Sequence, residues 1–113
     1  MGPLGLDGPH RLIESVIDAK IARRTPGVYA LDPHDPDGVL LSFAYVGRAD
    51  KDLASGLKRH IGPYRAFYFA ALPSPAEAYY VECELYHHFR PADNRAHPAR
   101  PPRSGCACPI CGV

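Results

Sequence analysis

Apolar and polar positions fall along this chain in short blocks, separated by proline- and glycine-rich breaks. Between residues 10 and 22, Leu12, Val16 and Ala19 recur at helical spacing with Ile13 and Ile17 beside them. That spacing predicts a short amphipathic helix ending before Thr25-Pro26. Residues 1–9, MGPLGLDGP, read as a loosely docked end. Pro26-Gly27 then opens VYALD, a first strand, followed by the polar, turn-rich DPHDPDG (32–38) and by VLLSFAYVG (39–47), a second apolar, β-rich run. Two strands joined by a short loop predict an antiparallel hairpin. Beyond Gly47, Leu53, Leu57 and Ile61 repeat every four residues along one helix face, with Asp50 or Asp52 as cap and Gly62-Pro63 as stop. YRAFYFAAL (64–72) is an aromatic third strand, broken by Pro73-Ser74-Pro75. Residues 75–89 form the last helix, with Ser74 as cap and Glu77 at the capping-box position.

The order helix, β, β, α, β, α, tail defines an α+β domain: a small three-stranded, mostly antiparallel sheet flanked by helices. A chain of 113 residues suffices for one domain with one modest core. The sequence divides into an N-terminal extension with its helix (1–25), a central domain (26–94) and a basic, Cys-rich tail (95–113). There is no internal repeat and no coiled-coil heptad.

Composition adds exclusions more than assignments. Hydrophobic residues make up 46% and charged residues 22%, as expected of a soluble globular protein. No apolar run approaches the roughly 18 residues of a membrane helix, and the N-terminus lacks the basic-then-apolar pattern of a secretory signal, so a cytoplasmic location with no membrane partner is expected. A net charge of +1 offers no global argument for nucleic acid. Arg90, Arg95, Arg100 and Arg103, with His87, His88 and His97 among them, nevertheless crowd the last quarter. They form either a locally basic surface or a solvated tail.

One charge lies beside an apolar face. In the last helix Ala78, Val81, Leu85 and Phe89 form the stripe, and Glu82 flanks it, whereas Glu84 points elsewhere. A carboxylate there must be solvated, paired with an Arg or Lys, or bound to a metal.

Three segments give Glu82 a context. Gly27-Val28-Tyr29 begins the first strand, Tyr45-Val46-Gly47 ends the second, and EAYYVECELYHHFRPADN (77–94) combines a helical Glu with Pro91 and Asn94. Together they resemble the GIY-YIG nuclease superfamily, over residues 26–94. The resemblance implies a metal-dependent endonuclease that hydrolyses phosphodiester bonds in DNA or RNA. It implies that Glu82 ligates Mg²⁺ or Mn²⁺ and that Asn94 matches the family Asn. Tyr29 or Tyr45 would take a proton from the attacking water, His60 would relay it, and an Arg would hold the non-bridging oxygens. The chain departs from the pattern at Gly56, where the family has an Arg on the helix after its second tripeptide; Arg59, one turn on, and Arg48, directly after Gly47, are the candidate substitutes. Gly56 also keeps open a second class of function, a catalytically degenerate fold that binds nucleic acid or a protein. Taken singly, the tyrosines read equally as packing residues, His60 as a helix-end residue and Asn94 as a turn cap. With no separate recognition domain, the chain would act on nucleic-acid structure, with a protein partner or as a homodimer.

The chain ends in CACPICGV. Cys108-Pro-Ile-Cys111-Gly has the C-x-x-C-G form of a zinc knuckle. Cys106, Cys108 and Cys111 are candidate Zn²⁺ ligands, with His97 as the nearest fourth and Cys83, His87 and His88 as alternatives. A redox pair and an unligated tail are the competing readings. Cys83, mid-helix, reads as a small apolar residue.

Overall fold

The computed structural model describes residues 5–37 and 42–113. The described elements run β1 (Asp7–Arg11), α1 (Glu14–Lys20), β2 (Gly27–Asp32), β3 (Tyr45–Ala49), α2 (Leu53–Lys58), β4 (Ala66–Ala71) and α3 (Pro75–Phe89). The four strands form one antiparallel sheet in the order β1-β4-β2-β3. The fold is therefore α+β, with one strand more than the sequence pattern predicts.

That extra strand comes from the segment expected to be a loose end. Asp7, His10 and Arg11 pair with Phe69, Phe67 and Ala66, with a register shift across Gly8-Pro9. A proline lacks the N–H a central strand needs, but an edge strand with a bulge tolerates it. Leu6, fully buried, anchors the strand. The helix expected over residues 10–22 shrinks accordingly to Glu14–Lys20, since His10 and Arg11 belong to β1. Residues 39–41 of the expected second strand lie outside the described residues; the described strand begins at Tyr45 and runs on to Ala49.

The central strand β2 divides two cores. Tyr29 and Leu31 face one side, where Leu12, Ile17 and Ile21 around α1, Leu53 and Leu57 of α2, and Phe67 and Phe69 close the cluster. Val28 and Ala30 face the other, with Val46, Phe43, Tyr68 and the Ala78 and Leu85 stripe of α3. Alternate strand residues serve opposite faces, so β2 is buried along its whole length.

Local signals set the helix starts. The Asp52 carboxylate accepts from Ser55 N–H at 3.3 Å and opens α2. Ser74 Oγ accepts from Glu77 N–H at 3.2 Å, with Pro75 at the first helical position of α3. Arg90, at φ 47°, ends α3 in the left-handed conformation and turns the chain back along the helix. The tail packs there, with Cys106 and Cys108 against Tyr79 and Cys83.

Candidate functional site

The two tripeptides meet through their glycines and tyrosines. Tyr29 on β2 pairs with Gly47 on β3, and a Cβ added to Gly47 would lie 2.5 Å from Tyr29 Cζ and 2.6 Å from its hydroxyl. The missing side chain at Gly47 therefore lets the phenol lie across β3 toward the open edge of the sheet. Gly27 serves packing in the same way, since a Cβ there would meet Ala70 O at 2.5 Å and Leu53 Cδ2 at 2.8 Å.

Tyr45 stacks on Tyr29, with ring centroids 6.4 Å apart and planes 28° from parallel. His60, just past α2, closes the group: its Nε2 is 3.1 Å from the Tyr29 hydroxyl, and its ring is 5.0 Å from that of Tyr45. Tyr64 completes the aromatic cluster, 6.1 Å from His60, and donates from its hydroxyl to Asp93 at 2.6 Å. Burial, then the charge of Arg59, holds His60 below the usual histidine range. A neutral His60 can accept a hydrogen bond from the Tyr29 hydroxyl. Burial first, then Tyr45 and Glu82, raise the Tyr29 phenol well above 10, while Arg59 pulls it back. Tyr45 is raised by burial and by Glu82. Both phenols therefore feel the Glu82 carboxylate.

Glu82 reaches this edge from α3. Of the readings left open for it, pairing with an arginine is what the structure shows. Arg48 Nη1 donates to Glu82 Oε1 at 2.8 Å. The same guanidinium donates from Nε to Asp50 at 2.6 Å and from Nη1 to the Ala99 carbonyl at 2.6 Å, and lies 5.4 Å from the Tyr79 ring centroid. Burial nevertheless outweighs Arg48 and pushes Glu82 up to about 7. The attraction runs both ways, since Arg48 is raised by its bonds and its two carboxylate neighbours against the opposing effect of burial.

Of the two candidate arginines, Arg48 thus holds Glu82, while Arg59 is exposed. Arg59 lines a hollow of about 310 Å³ together with Tyr29, Arg48, Lys51 and Gly56. At Gly56 a Cβ would meet Ala49 Cβ at 3.4 Å and Tyr29 Cε2 at 3.6 Å, ordinary contact distances. A second hollow shares Asp50 and Lys51 with the first and extends toward Pro101 and Arg103.

Asn94 acts on backbone. Its Oδ1 accepts from Val46 N–H and its Nδ2 donates to Val46 O, both at 2.9 Å, and Asp93 N–H donates to Ala44 O at 2.8 Å. This segment takes the place of a fifth strand on the free edge of β3 and holds Tyr45 and Arg48 in register.

The tail assembles a different ligand set from the one the cysteine spacing predicts. His87, His97, Cys108 and Cys111 bring one ligand atom each to within 4.8 Å of one another and could hold a metal ion. Cys106 stands outside this group, buried against Tyr79 and Cys83. His87 takes the expected place of Cys106, because the turn at Arg90 and Pro91 lays His97 back over the last turn of α3. Burial raises the Cys108 thiol, but the N–H groups of Cys111 and Ile110 and the side chains of His97 and Cys111 outweigh it, to about 5. Cys83, pushed up to about 12 mainly by burial, is inert.

The sequence reading missed Asp50, Tyr79 and the Ala99 carbonyl around Arg48. Only the proximity of Asp50 to Arg48 hinted at any of them. No helix among the described residues is long and apolar enough to cross a membrane. The chain matches no family model, and no curated protein or solved structure matches it.

Proposed function

We propose that the chain is a metal-dependent endonuclease of the GIY-YIG kind that its signature residues resemble. The observation that carries this reading is the cluster of Tyr29, Tyr45 and His60 at one sheet edge, with Arg48, which lines the same hollow as Tyr29, bonded to Glu82 of α3. A single buried carboxylate fits a hard cation, Mg²⁺ or Mn²⁺, that retains most of its waters. When bound, such an ion supplies Lewis acidity and an activated water. Arg48 orients the carboxylate through Oε1. His60, neutral, accepts a hydrogen bond from the Tyr29 hydroxyl and orients it, so that as the phenol oxygen takes a proton from water its own proton passes to His60. Tyr45 stacks on Tyr29 and restricts its ring. Arg59, exposed at the hollow, offers the planar fork for a phosphate in place of the residue absent at Gly56. Lys51 and Arg103 extend positive charge along the two adjoining hollows, as a nucleic-acid backbone requires.

One observation favours a second reading, a module that binds nucleic acid without cutting it. Glu82 already has a cationic partner in Arg48, so it has less need of a metal ion. Cleavage of branched and linear DNA and RNA with Mg²⁺ or Mn²⁺ separates the two. Wild type is expected to cut, Glu82→Ala to cut nothing, and Arg59→Ala to cut about a hundredfold more slowly. Salt-sensitive binding by a wild type that cuts nothing would establish the second reading instead.

A further inference from the structure

The geometry points to a tetrahedral zinc site formed by His87, His97, Cys108 and Cys111, which staples the C-terminal segment to α3. Zinc bonds of about 2.0–2.1 Å to nitrogen and about 2.3 Å to sulfur make tetrahedral edges of about 3.3 Å between nitrogens and about 3.6 Å between nitrogen and sulfur. His87 Nε2 lies 3.3 Å from His97 Nε2, and Cys111 Sγ lies 3.5 Å from the same atom. Both distances match. All four ligand atoms lie within 4.8 Å of one another, although they come from a helix, a returning loop and a terminal turn.

The surroundings prepare these atoms to bind. His97 Nδ1 is 3.0 Å from the Pro98 carbonyl, which can only accept, so Nδ1 carries the proton and Nε2 presents a lone pair to the cluster. Ile110 N–H donates to Cys108 Sγ at 3.4 Å, and Gly112 N–H donates to the Cys108 carbonyl at 2.9 Å. The first bond steadies a thiolate, and the second closes the C-x-x-C turn that delivers it. Two soft sulfurs with two imidazoles select zinc over the hard cations suited to Glu82. The staple also has a direction. Ala99, two residues past His97, gives its carbonyl to Arg48. The ion therefore anchors the segment that helps hold Arg48 on Glu82.

Elemental analysis of the full chain, purified without chelator and reconstituted with Zn²⁺, tests the site. About one zinc per chain is expected in wild type. Cys108→Ser and His97→Ala should lose it, and Cys106→Ser should retain it. Glu82→Gln should also retain it, so this result stands apart from any cleavage assay. Should the ligand variants fail to fold, Co²⁺ substitution of wild type decides. Intense visible bands with sulfur charge transfer support four-coordinate His₂Cys₂ ligation, whereas pale octahedral bands overturn it. Retention of no zinc by wild type, with Cys108 and Cys111 equally reactive to a thiol reagent with and without the ion, overturns it as well. Loss of zinc in Cys106→Ser alone would overturn the ligand set.

Discussion

Arg48 Nη1 and Glu82 Oε1 stand 2.8 Å apart, with both side chains only about 10% exposed. The pair joins the strand after the second tripeptide to the helix that carries the carboxylate. Its energetics are asymmetric, because a protein can relieve a buried Glu by protonating it but cannot discharge a buried Arg.

The pH dependence of stability follows from that asymmetry. Glu82 ionises at about 7 in the folded chain against an ordinary 4.5. The folded state therefore holds the extra proton between those values. Stability contributed by this group is present in full at the acid end, falls as pH rises through the window, and levels off above it. Urea midpoints measured from about pH 5 to pH 8 should show the decline. Glu82→Gln should flatten it, and Arg48→Ala should steepen it, with a loss of about 3 kcal/mol at the alkaline end. An unchanged slope in Glu82→Gln would assign the decline to other groups.

Gly47→Ala tests the close approach of the two motif tripeptides. The new methyl would fall 2.5 Å from Tyr29 Cζ, and the ring is hemmed by Tyr45 and His60. Overpacking of this kind costs about 1–3 kcal/mol. A lowered melting temperature is expected, together with a changed Tyr29 ring environment in aromatic NMR spectra. A neutral effect on both would show that the ring moves freely.

Gly56→Arg restores the side chain the resemblance calls for. The site has room for its Cβ, and a glycine inside α2 weakens the helix. The substitution should stabilise the domain by about 0.5–1 kcal/mol, read as a rise of a few degrees in melting temperature. If the hollow beside Tyr29 holds phosphate, cleavage should also speed up. A gain in stability with slower cleavage would mean that the hollow must stay open.

Asn94 is expected to matter through structure. Asn94→Ala leaves both Val46 backbone groups without their side-chain partner, at a cost of about 1–3 kcal/mol. Asn94→Asp keeps the acceptor for Val46 N–H but sets a carboxylate against Val46 O, so it should fare no better near neutral pH. Hydrogen exchange at Val46, Gly47 and Arg48 should quicken in both variants. Full protection there would refute the edge-cap role.

What the sequence by itself determined here is local. α3 starts at Pro75 and ends at Phe89 as its cap, proline and breaker residues dictate, and the apolar stripe beside Glu82 was readable because helical spacing is a property of neighbours. A cap at Asp50 or Asp52, which the structure resolves to Asp52, and the strand character of residues 27–32 and 66–71 were legible for the same reason. Tertiary structure decided everything that depends on distant segments meeting. Gly8-Pro9 reads as a break until β4 supplies a partner that tolerates a bulged edge strand. On paper Arg59, carried by a helix, is slightly the better candidate and Arg48 the alternative, and only the packing of α3 against β3 puts Arg48 on Glu82 and leaves Arg59 at the hollow. His87 replaces Cys106 in the cluster because a left-handed turn at Arg90 folds the tail back over the helix. Residue spacing describes the path along the chain, whereas a ligand set or an ion pair is defined by distance in space, and that distance is set by the long-range packing of the sheet and its helices.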